Sequence, residues 1–412
     1  MVFTVTASPS VDTSRIRLQI RALQPQLSVW RRQLHQRPEL GFQEQFTSEF
    51  IAAKLREWGI EHETGVAQTG IVALVKGDRP GPVLAIRADM DALPIQEENE
   101  VDYRSQHDGR MHACGHDGHV AIALGTAYYL SQHRDFAGTV KFIFQPAEEG
   151  PGGAQPMVAA GVLNNPDVNA IIGLHLWNNL PLGQVGIRAG AMMAAVELFE
   201  CTIHGRGGHG AMPHQTVDSI LVGAQVVTAL QTIVARNLDP LQSGVVTVGK
   251  FEAGKASNVI ADSAYLRGTV RYFDPALANF FDRRIEDIIA GTCRSHGATY
   301  EFHYHRLYPP VINDGAIAHL IRSVAEDVVE TPAGVVPDCQ TMGGEDMSFF
   351  LQEVPGCYFF LGSANIDRGL AYPHHHPRFD FDETALGLGV EIFVRCVERF
   401  GTNTHPLDGI SR

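Results

Sequence analysis

The chain has 412 residues, a formal net charge of −14, 44% hydrophobic residues and 19% charged residues. This composition is typical of a globular protein, and the length exceeds what one hydrophobic core usually organises, so we expect two domains. The acidic balance disfavours nucleic acid and anionic membrane surfaces as partners.

The spacing of the cysteines, the N-terminal sequence and the length of the apolar stretches indicate the cellular compartment. The six cysteines have no paired spacing, which favours a reducing environment over a disulfide framework. Met1–Arg15 contains no basic start followed by an apolar run, and no stretch approaches the ~20 uninterrupted apolar residues of a membrane helix. We therefore predict a cytoplasmic protein.

Hydrophobic periodicity in the first part of the chain predicts apolar strands that alternate with helices. Such alternation favours an α/β sheet covered by helices on both faces, with ligands bound beyond the strand ends. The predicted helices span 15–59, 117–133 and a segment after the Gly/Pro loop at 149–154, and the predicted strands span 70–75, 82–87, 139–145 and 170–174.

A different pattern occupies the middle of the chain. Strand, helix, strand, strand, helix and strand follow one another at 196–204, 219–235, 245–251, 264–272, 277–296 and 299–305. This βαββαβ order predicts a compact unit with an antiparallel sheet and two helices, inserted into a discontinuous parent domain. We predict a parent domain at 1–191 and 306–412, ending in a helix at 384–400, and an inserted domain at 192–305.

The segment His112-Ala113-Cys114-Gly115-His116-Asp117-Gly118-His119 carries the clearest chemical signal. A thiol and an imidazole two residues apart, on a glycine-containing turn before an apolar helix, are typical of a transition-metal site. Other donors follow predicted strands. Asp89 and Asp91 follow one strand and could either contact a metal or orient a histidine ligand, although an Asx turn explains them equally well.

Two adjacent carboxylates, Glu148 and Glu149, come after another buried strand. Beside metal ions such a pair can divide its roles, one binding an ion and the other relaying a proton from water. His175 follows the strand at 170–174, and His374-His375-His376 precedes the last helix. Together these donors suffice for two metal ions.

The motifs RADMDALP, HACGHDGH, FQPAEEG, GLHLW, GRGGHGAMPH, GGEDMSFF and HHPRFDFDE occur in this order. In this respect the chain resembles the metal-dependent amidohydrolases of the aminoacylase and carboxypeptidase-G superfamily, in the branch of N-acyl-amino-acid, hippurate and auxin-conjugate hydrolases. The resemblance extends from about Arg31 to Arg395. It implies a two-metal catalytic domain with a ferredoxin-like dimerisation domain inserted into it.

The resemblance also implies roles for individual residues. The implied metal ligands are Cys114, His116, Glu149, His175 and, from its spacing to the following Pro and aromatic residue, His375, with Glu148 as general base. His374 and His376 leave that last assignment open. Two divalent ions per subunit are implied, with zinc, manganese, cobalt and nickel all compatible with the donors.

In the inserted domain, the resemblance implies that His209 reaches the active site of a partner subunit and polarises the scissile carbonyl. Asn258 and Arg271 match positions that hold the substrate carboxylate, and Arg267 on the same strand is an alternative. Glu345 is expected near the site, supporting the ligands together with Asp89 and Asp91, although a surface turn is equally compatible.

The sequence therefore predicts a homodimeric or larger hydrolase that cleaves N-acyl-L-amino acids to a carboxylic acid and an amino acid, using metal-activated water and Glu148. Three alternatives remain open. They are a dipeptidase or aminopeptidase of the same superfamily, a cysteine hydrolase with Cys114 as nucleophile and His116 as base, and an inactive metal-dependent binding protein.

Overall fold

The structure is a computed structural model that describes residues 13–329 and 334–402, so most of Met1–Arg15 lies outside the described residues. It divides into two compact units. The first comprises the chain up to Ala189, Asn313–Cys339 and the chain from Phe350 onward, and the second comprises Gly190–Ile312 and Gln340–Phe349. The domain boundaries that the sequence predicts at 191/192 and 305/306 are not tested by this division and remain predictions.

The helices and strands are numbered in chain order. The helices are α1 Thr13–His35, α2 Gln45–Glu57, α3 His116–Gln132, α4 Ala154–Ala159, α5 Ser219–Leu230, α6 Ala278–His296, α7 Gly315–Val328, α8 Ser348–Glu353 and α9 Thr384–Thr402. The strands are β1 Glu61–Val66, β2 Gly70–Lys76, β3 Arg79–Asp89, β4 Ala137–Gln145, β5 Ala170–Pro181, β6 Val185–Gly186, β7 Gly190–Met193, β8 Val196–His204, β9 Gly208–His209, β10 Gly244–Ala253, β11 Val259–Ile260, β12 Ser263–Tyr272, β13 Thr299–Tyr308, β14 Val311–Asn313, β15 Val335–Val336 and β16 Gly356–Ala364.

The first unit is built on an eight-stranded mixed sheet in the order β1-β2-β4-β3-β5-β16-β6-β15. The central strands β4, β3, β5 and β16 are parallel, and β1 and β2 pair antiparallel with their neighbours. At the other edge, β6 pairs antiparallel with β16 and parallel with β15. Every residue of β16 is buried, as in a strand covered by helices on both faces. The predicted α/β fold with a helix-covered mixed sheet is confirmed.

The second unit has a four-stranded antiparallel sheet in the order β10-β12-β8-β13. The order along the chain, β8-α5-β10-β12-α6-β13, is the βαββαβ order that the sequence predicts. Helix α6 packs Phe281, Ile285, Ile289 and Cys293 into the core of this unit, one residue per turn along a single face. A short ribbon of β9 and β11 stands apart from the main sheet.

One sequence-based expectation about the helices needs correction. The helix predicted over 15–59 is wrong in its continuity, since α1 ends at His35 and α2 begins at Gln45. Pro38 accounts for the break, because proline has no N–H to donate and disfavours a helical residue before it. Within the part of the chain that the structure describes, one helical stretch, Ser219–Asn237, has the length and mean hydropathy of a membrane span, with 33% of its most apolar window buried. Polar residues interrupt it, so it does not contradict the expectation from uninterrupted apolar runs.

Candidate active site

The candidate site lies at one edge of the sheet in the first unit. Asp89 ends β3, and Glu148 and Glu149 follow the end of β4, whereas His175 lies within β5. Because these strands are parallel neighbours, their carboxyl ends meet at a single edge. Helix α3 begins at that edge with His116.

The thiol, imidazole and carboxylate donors that the sequence identifies converge there. Cys114 Sγ lies 3.5 Å from His175 Nε2, and Glu149 Oε1 lies 3.0 Å from His375 Nε2. Donor atoms lie within 4.8 Å of one another in three overlapping groups, Cys114–His116–His175, Cys114–Glu149–His375 and His116–Glu148–Glu149. The structure thus brings all five predicted ligands and the predicted base together.

His116 presents an unused nitrogen to this cluster. Its Nδ1 lies 3.0 Å from the backbone oxygen of Asp91, which fixes the ring, and its buried Nε2 has no hydrogen-bond partner among the described residues. Gly115, with φ of +93°, provides the left-handed turn that starts α3 there. A buried nitrogen without a partner is costly, and a cation is the partner that this donor set fits.

The carbonyl group of Leu176 determines which ring nitrogens of His175 and His374 remain available to the donor cluster. Its carbonyl oxygen accepts from His175 Nδ1 at 2.7 Å and from His374 Nε2 at 2.9 Å. His175 therefore turns Nε2 towards Cys114, whereas the Nε2 of His374 is occupied. His376 Nδ1 accepts from the N–H of Arg378, so among the three neighbouring histidines His375 is the one that faces Glu149.

The backbone that carries Glu148 and Glu149 is held by two buried carboxylates. Asp91 accepts from the N–H of Glu148 at 2.9 Å and from that of Glu149 at 3.0 Å. Glu44 accepts from the N–H of Ala147 at 2.9 Å. Ala147 has φ of 54°, a left-handed conformation that a residue other than glycine adopts only when its surroundings enforce it.

Asp89 is connected to the site through His119. Its Oδ1 accepts from His119 Nδ1 at 2.5 Å, and its Oδ2 pairs with Arg87 at 2.6 Å. His119 Nε2 in turn accepts from the N–H of Leu176 at 2.9 Å. Both nitrogens of His119 therefore form hydrogen bonds, and its ring connects Asp89 at the end of β3 with Leu176 in β5.

The site is acidic enough to attract cations. Burial lowers the pKa of His116, but Asp89, Asp91 and Glu149 outweigh burial and raise it to about 10. The hydrogen bond to Glu149 raises the pKa of His375. A proton on His116 therefore helps to balance the carboxylates near neutral pH in the metal-free chain. Burial and the nearby carboxylates raise the pKa of the Cys114 thiol, so it is protonated until a cation displaces the proton.

The remaining predicted site residues belong to the second unit. His209 is exposed on β9 and pairs with Val259 of β11, and Asn258 precedes that strand and accepts from the N–H of Gly210. Arg271 is partly buried on β12, where it donates to Val270 O at 2.9 Å, and Arg267 pairs with Glu200. Glu345 is buried, and its carboxylate accepts from the N–H of Met347, so the surface-turn alternative is wrong for this side chain.

Sequence reasoning missed two residues that organise the site. Glu44 precedes a helix and carries no local motif, so only its contact with Ala147 reveals it. His119 stands within the HACGHDGH motif, and its spacing of three residues from His116 places both on one face of α3. That spacing was the feature of the sequence from which a role for His119 at the site could have been predicted.

A helix-covered sheet with thiol, imidazole and carboxylate donors at its strand ends, and a second carboxylate beside them, defines a metal-dependent hydrolase. The chain belongs to peptidase family M20/M25/M40, whose model matches residues 85–399. The resemblance to metal-dependent amidohydrolases is thereby confirmed.

Individual relatives agree with this assignment. An N-acyl-L-amino acid amidohydrolase of Geobacillus stearothermophilus is 51% identical over 287 residues, covering 69% of this chain and 77% of the relative. Thermostable carboxypeptidase 2 of Saccharolobus solfataricus is 40% identical over 364 residues, covering 87% and 91%. The crystal structure of the Bacillus subtilis YXEP protein, a dinuclear metal-binding peptidase of the M20 family, has a TM-score of 0.81 and 36% identity, covering 92% and 99%.

Proposed function

We propose that this protein hydrolyses the amide bond of N-acyl-L-amino acids. The observation that carries the proposal is the convergence of Cys114, His116, Glu149, His175 and His375 around the buried, unpartnered Nε2 of His116, with Glu148 alongside. The relative that is 51% identical is an N-acyl-L-amino acid amidohydrolase, which supports this choice of substrate.

The donor set fits two divalent ions. One thiolate, three imidazoles and one carboxylate would hold them, with Cys114 within reach of both the His116–His175 group and the Glu149–His375 group. Such donors suit zinc, cobalt or nickel, and the carboxylates also admit manganese. When bound, the ions would polarise the scissile carbonyl and make a nearby water more acidic.

Glu148 is the proposed general base. Its backbone N–H is anchored on Asp91, and its carboxylate lies 3.9 Å from His116 Nε2, so it would lie within reach of a water held by ions at the donor cluster. Glu148 would accept the proton as the water attacks the carbonyl, then deliver it to the amine that leaves. Asp91 would hold the backbone from which this carboxylate extends during both transfers.

The second unit is proposed to complete the site from a partner subunit. His209 is exposed at the tip of a two-stranded ribbon, a position from which it could reach another molecule and stabilise the developing oxyanion. Asn258 and Arg271 are proposed to hold the substrate carboxylate, because the Arg fork donates two parallel hydrogen bonds to a carboxylate. This arrangement requires a homodimer or larger assembly through the second unit.

Peptide hydrolysis is the second candidate function. The 40% identity to a carboxypeptidase favours it, and the same Arg271 could bind the carboxyl terminus of a peptide. The cysteine-hydrolase alternative has less support. Among the described residues Cys114 Sγ contacts His175 rather than His116, and burial raises the pKa of its thiol, which disfavours the nucleophilic thiolate.

The proposal is tested by amine release from a panel of N-acyl amino acids and free dipeptides, before and after chelation and with Mn²⁺, Zn²⁺, Co²⁺ or Ni²⁺ restored. Metal-dependent release from the acylated substrates is expected. Release from free dipeptides alone would identify a peptidase. Activity that survives complete metal removal would revive the cysteine hydrolase, and tight substrate binding without any release would indicate a binding protein.

A further inference from the structure

Helix α1 carries two buried polar side chains on the side that faces the site. Arg31 and His35 are one helical turn apart, and both are fully buried, at 0% exposure. They precede residue 85, where the match to the family model begins. Buried charges of this kind are rare unless partners compensate them.

The carboxylate partners of Arg31 belong to two segments far apart in sequence. Its Nε donates to Asp117 Oδ2 at 2.8 Å, and its Nη2 donates to Asp380 Oδ1 at 2.9 Å. Asp117 directly follows His116, and Asp380 closes the loop that carries His375. One guanidinium group therefore connects the side chain of the residue that follows His116 with that of a residue at the end of the loop that carries His375.

His35 reinforces the same connection. Its Nδ1 lies 2.8 Å from Asp117 Oδ2, and its Nε2 lies 3.2 Å from Glu97 Oε1. The other oxygen of Asp117 accepts from the N–H of Gly118 at the start of α3. The Asp117 carboxylate thus fixes the first turn of the helix that begins with His116.

Asp380 is anchored as thoroughly. Its Oδ1 also accepts from the N–H of Phe381, and its Oδ2 accepts from the hydroxyl of Tyr103 at 2.6 Å. At the other end of the loop, the N–H of His375 donates to Ala113 O at 2.8 Å. The loop is held both beside Cys114 and on α1, so the position of His375 relative to His116 depends on both attachments.

On the basis of the proposed function, we infer that Arg31 and His35 are positioning residues that set the distance between His116 and His375 and thereby tune metal affinity. Stability alone does not explain the arrangement, because buried ion pairs often contribute no more to stability than apolar side chains of similar volume. Arg31 and His35 do provide directional hydrogen bonds to Asp117, next to His116, and Arg31 to Asp380, at the end of the loop that carries His375. Contacts outside the ligands themselves influence affinity at metal sites.

The test compares Arg31→Lys with Arg17→Lys. Both substitutions lie on α1 and remove a guanidinium fork, but Arg17 pairs with Glu391 on α9 and with Val328 O, away from any proposed ligand. Affinity for Mn²⁺ and Co²⁺ is measured by competition with a chelator, alongside the absorption spectrum of the Co²⁺ form and thermal unfolding of the metal-free protein. We expect Arg31→Lys to weaken binding by roughly 10–100-fold, to alter the spectrum, and to recover activity at high metal concentration. Arg17→Lys should do none of these.

Unchanged affinity and spectrum in Arg31→Lys, with only lower thermal stability, would overturn the inference. If Arg31→Lys does not fold, Tyr103→Phe removes a single hydrogen bond to Asp380 and should give a smaller change in the same direction; no change in affinity would then overturn it. Failure of the unsubstituted protein to bind either metal would instead refute the proposed function, together with this inference that rests on it.

Discussion

The N–H of His375 donates a hydrogen bond to the carbonyl oxygen of Ala113, 2.8 Å away. This contact joins the histidine-rich loop to the residue before Cys114, although the two segments are far apart in sequence. His375 adopts φ of 64° to make it, a conformation that costs of order 1 kcal/mol or more for a residue other than glycine. The contact holds His375 where its ring meets Glu149, and the donor cluster is thereby complete.

Substitution of His375 and of His376, one at a time, should distinguish the proposed metal ligand from the histidine beside it. We expect His375→Ala to reduce metal affinity by more than the roughly 10–100-fold that loss of an outer contact costs. His376→Ala should leave affinity unchanged, because its ring stacks on Tyr372 and its Nδ1 accepts from Arg378. Metal content after dialysis and calorimetric titration measure both. Equal loss in the two variants would contradict the assignment of His375.

Glu148→Gln should separate binding from turnover. The amide cannot accept the proton, so kcat should fall by at least ~10²–10⁴-fold, while two ions and the substrate still bind. Steady-state kinetics, metal analysis and calorimetry with a substrate provide the readouts, with Glu63→Gln on the exposed surface of β1 as the matched variant. A Glu148→Gln enzyme with near-normal kcat would refute the role of the base.

Asp91→Asn should loosen both glutamates at once. Asp91 accepts separate hydrogen bonds from the N–H groups of Glu148 and Glu149, and an amide offers only one acceptor oxygen. We expect kcat and metal affinity to fall together, each by roughly 10–100-fold. A loss confined to substrate KM would show that Asp91 does not position these residues.

His209 should act across a subunit interface. His209→Ala should lower kcat with metal binding intact, because His209 lies outside the donor cluster. Mixing inactive Glu148→Gln subunits with His209→Ala subunits should then restore activity, since hybrid dimers would contain one site with both residues. Light scattering establishes the oligomeric state. A monomeric enzyme, or mixtures no more active than their components, would contradict action in trans.

The stability of the metal-free protein should depend on the protonation of His35. Burial and the nearby Arg31 lower the pKa of His35, but hydrogen bonds to Asp117 and Glu97 outweigh them and raise it from 6.5 to about 9. Protonated His35 therefore contributes stability that is fully present below pH 6.5 and is lost as pH rises through 9. The contribution is on the order of 3 kcal/mol.

Denaturant unfolding followed by tryptophan fluorescence tests this expectation. Trp30, Trp58 and Trp177 all lie in the first unit, so the signal reports on the unit that contains His35. The free energy of unfolding should decrease between pH 6.5 and 9, and His35→Gln should make that decrease smaller, leaving the part that His116, with its pKa raised to about 10, contributes. His303→Gln, on the exposed strand β13, should retain it. A parallel pH dependence in all three proteins would rule out His35 as the cause.

Local pattern in the sequence was sufficient for much of the fold. The bounds of β8 match the prediction of 196–204, and α3 begins within one residue of its predicted start, because alternating and helical periodicities are set by neighbouring residues. The break between α1 and α2 was missed although Pro38 marks it. The short strands β6, β9 and β15 were missed because each has only two residues and is defined by its pairing partner.

For the site, the sequence by itself determined which chemistry is present: a thiol, several imidazoles and paired carboxylates, each placed after an apolar strand or before a helix. Only the tertiary structure decided which atoms meet. The choice of His375 over His374 follows from a hydrogen bond that His374 makes to Leu176, and the support of Glu148 by Asp91 joins residues 57 positions apart. Such contacts depend on how strands and helices pack across the whole first unit, and no local spacing encodes that packing.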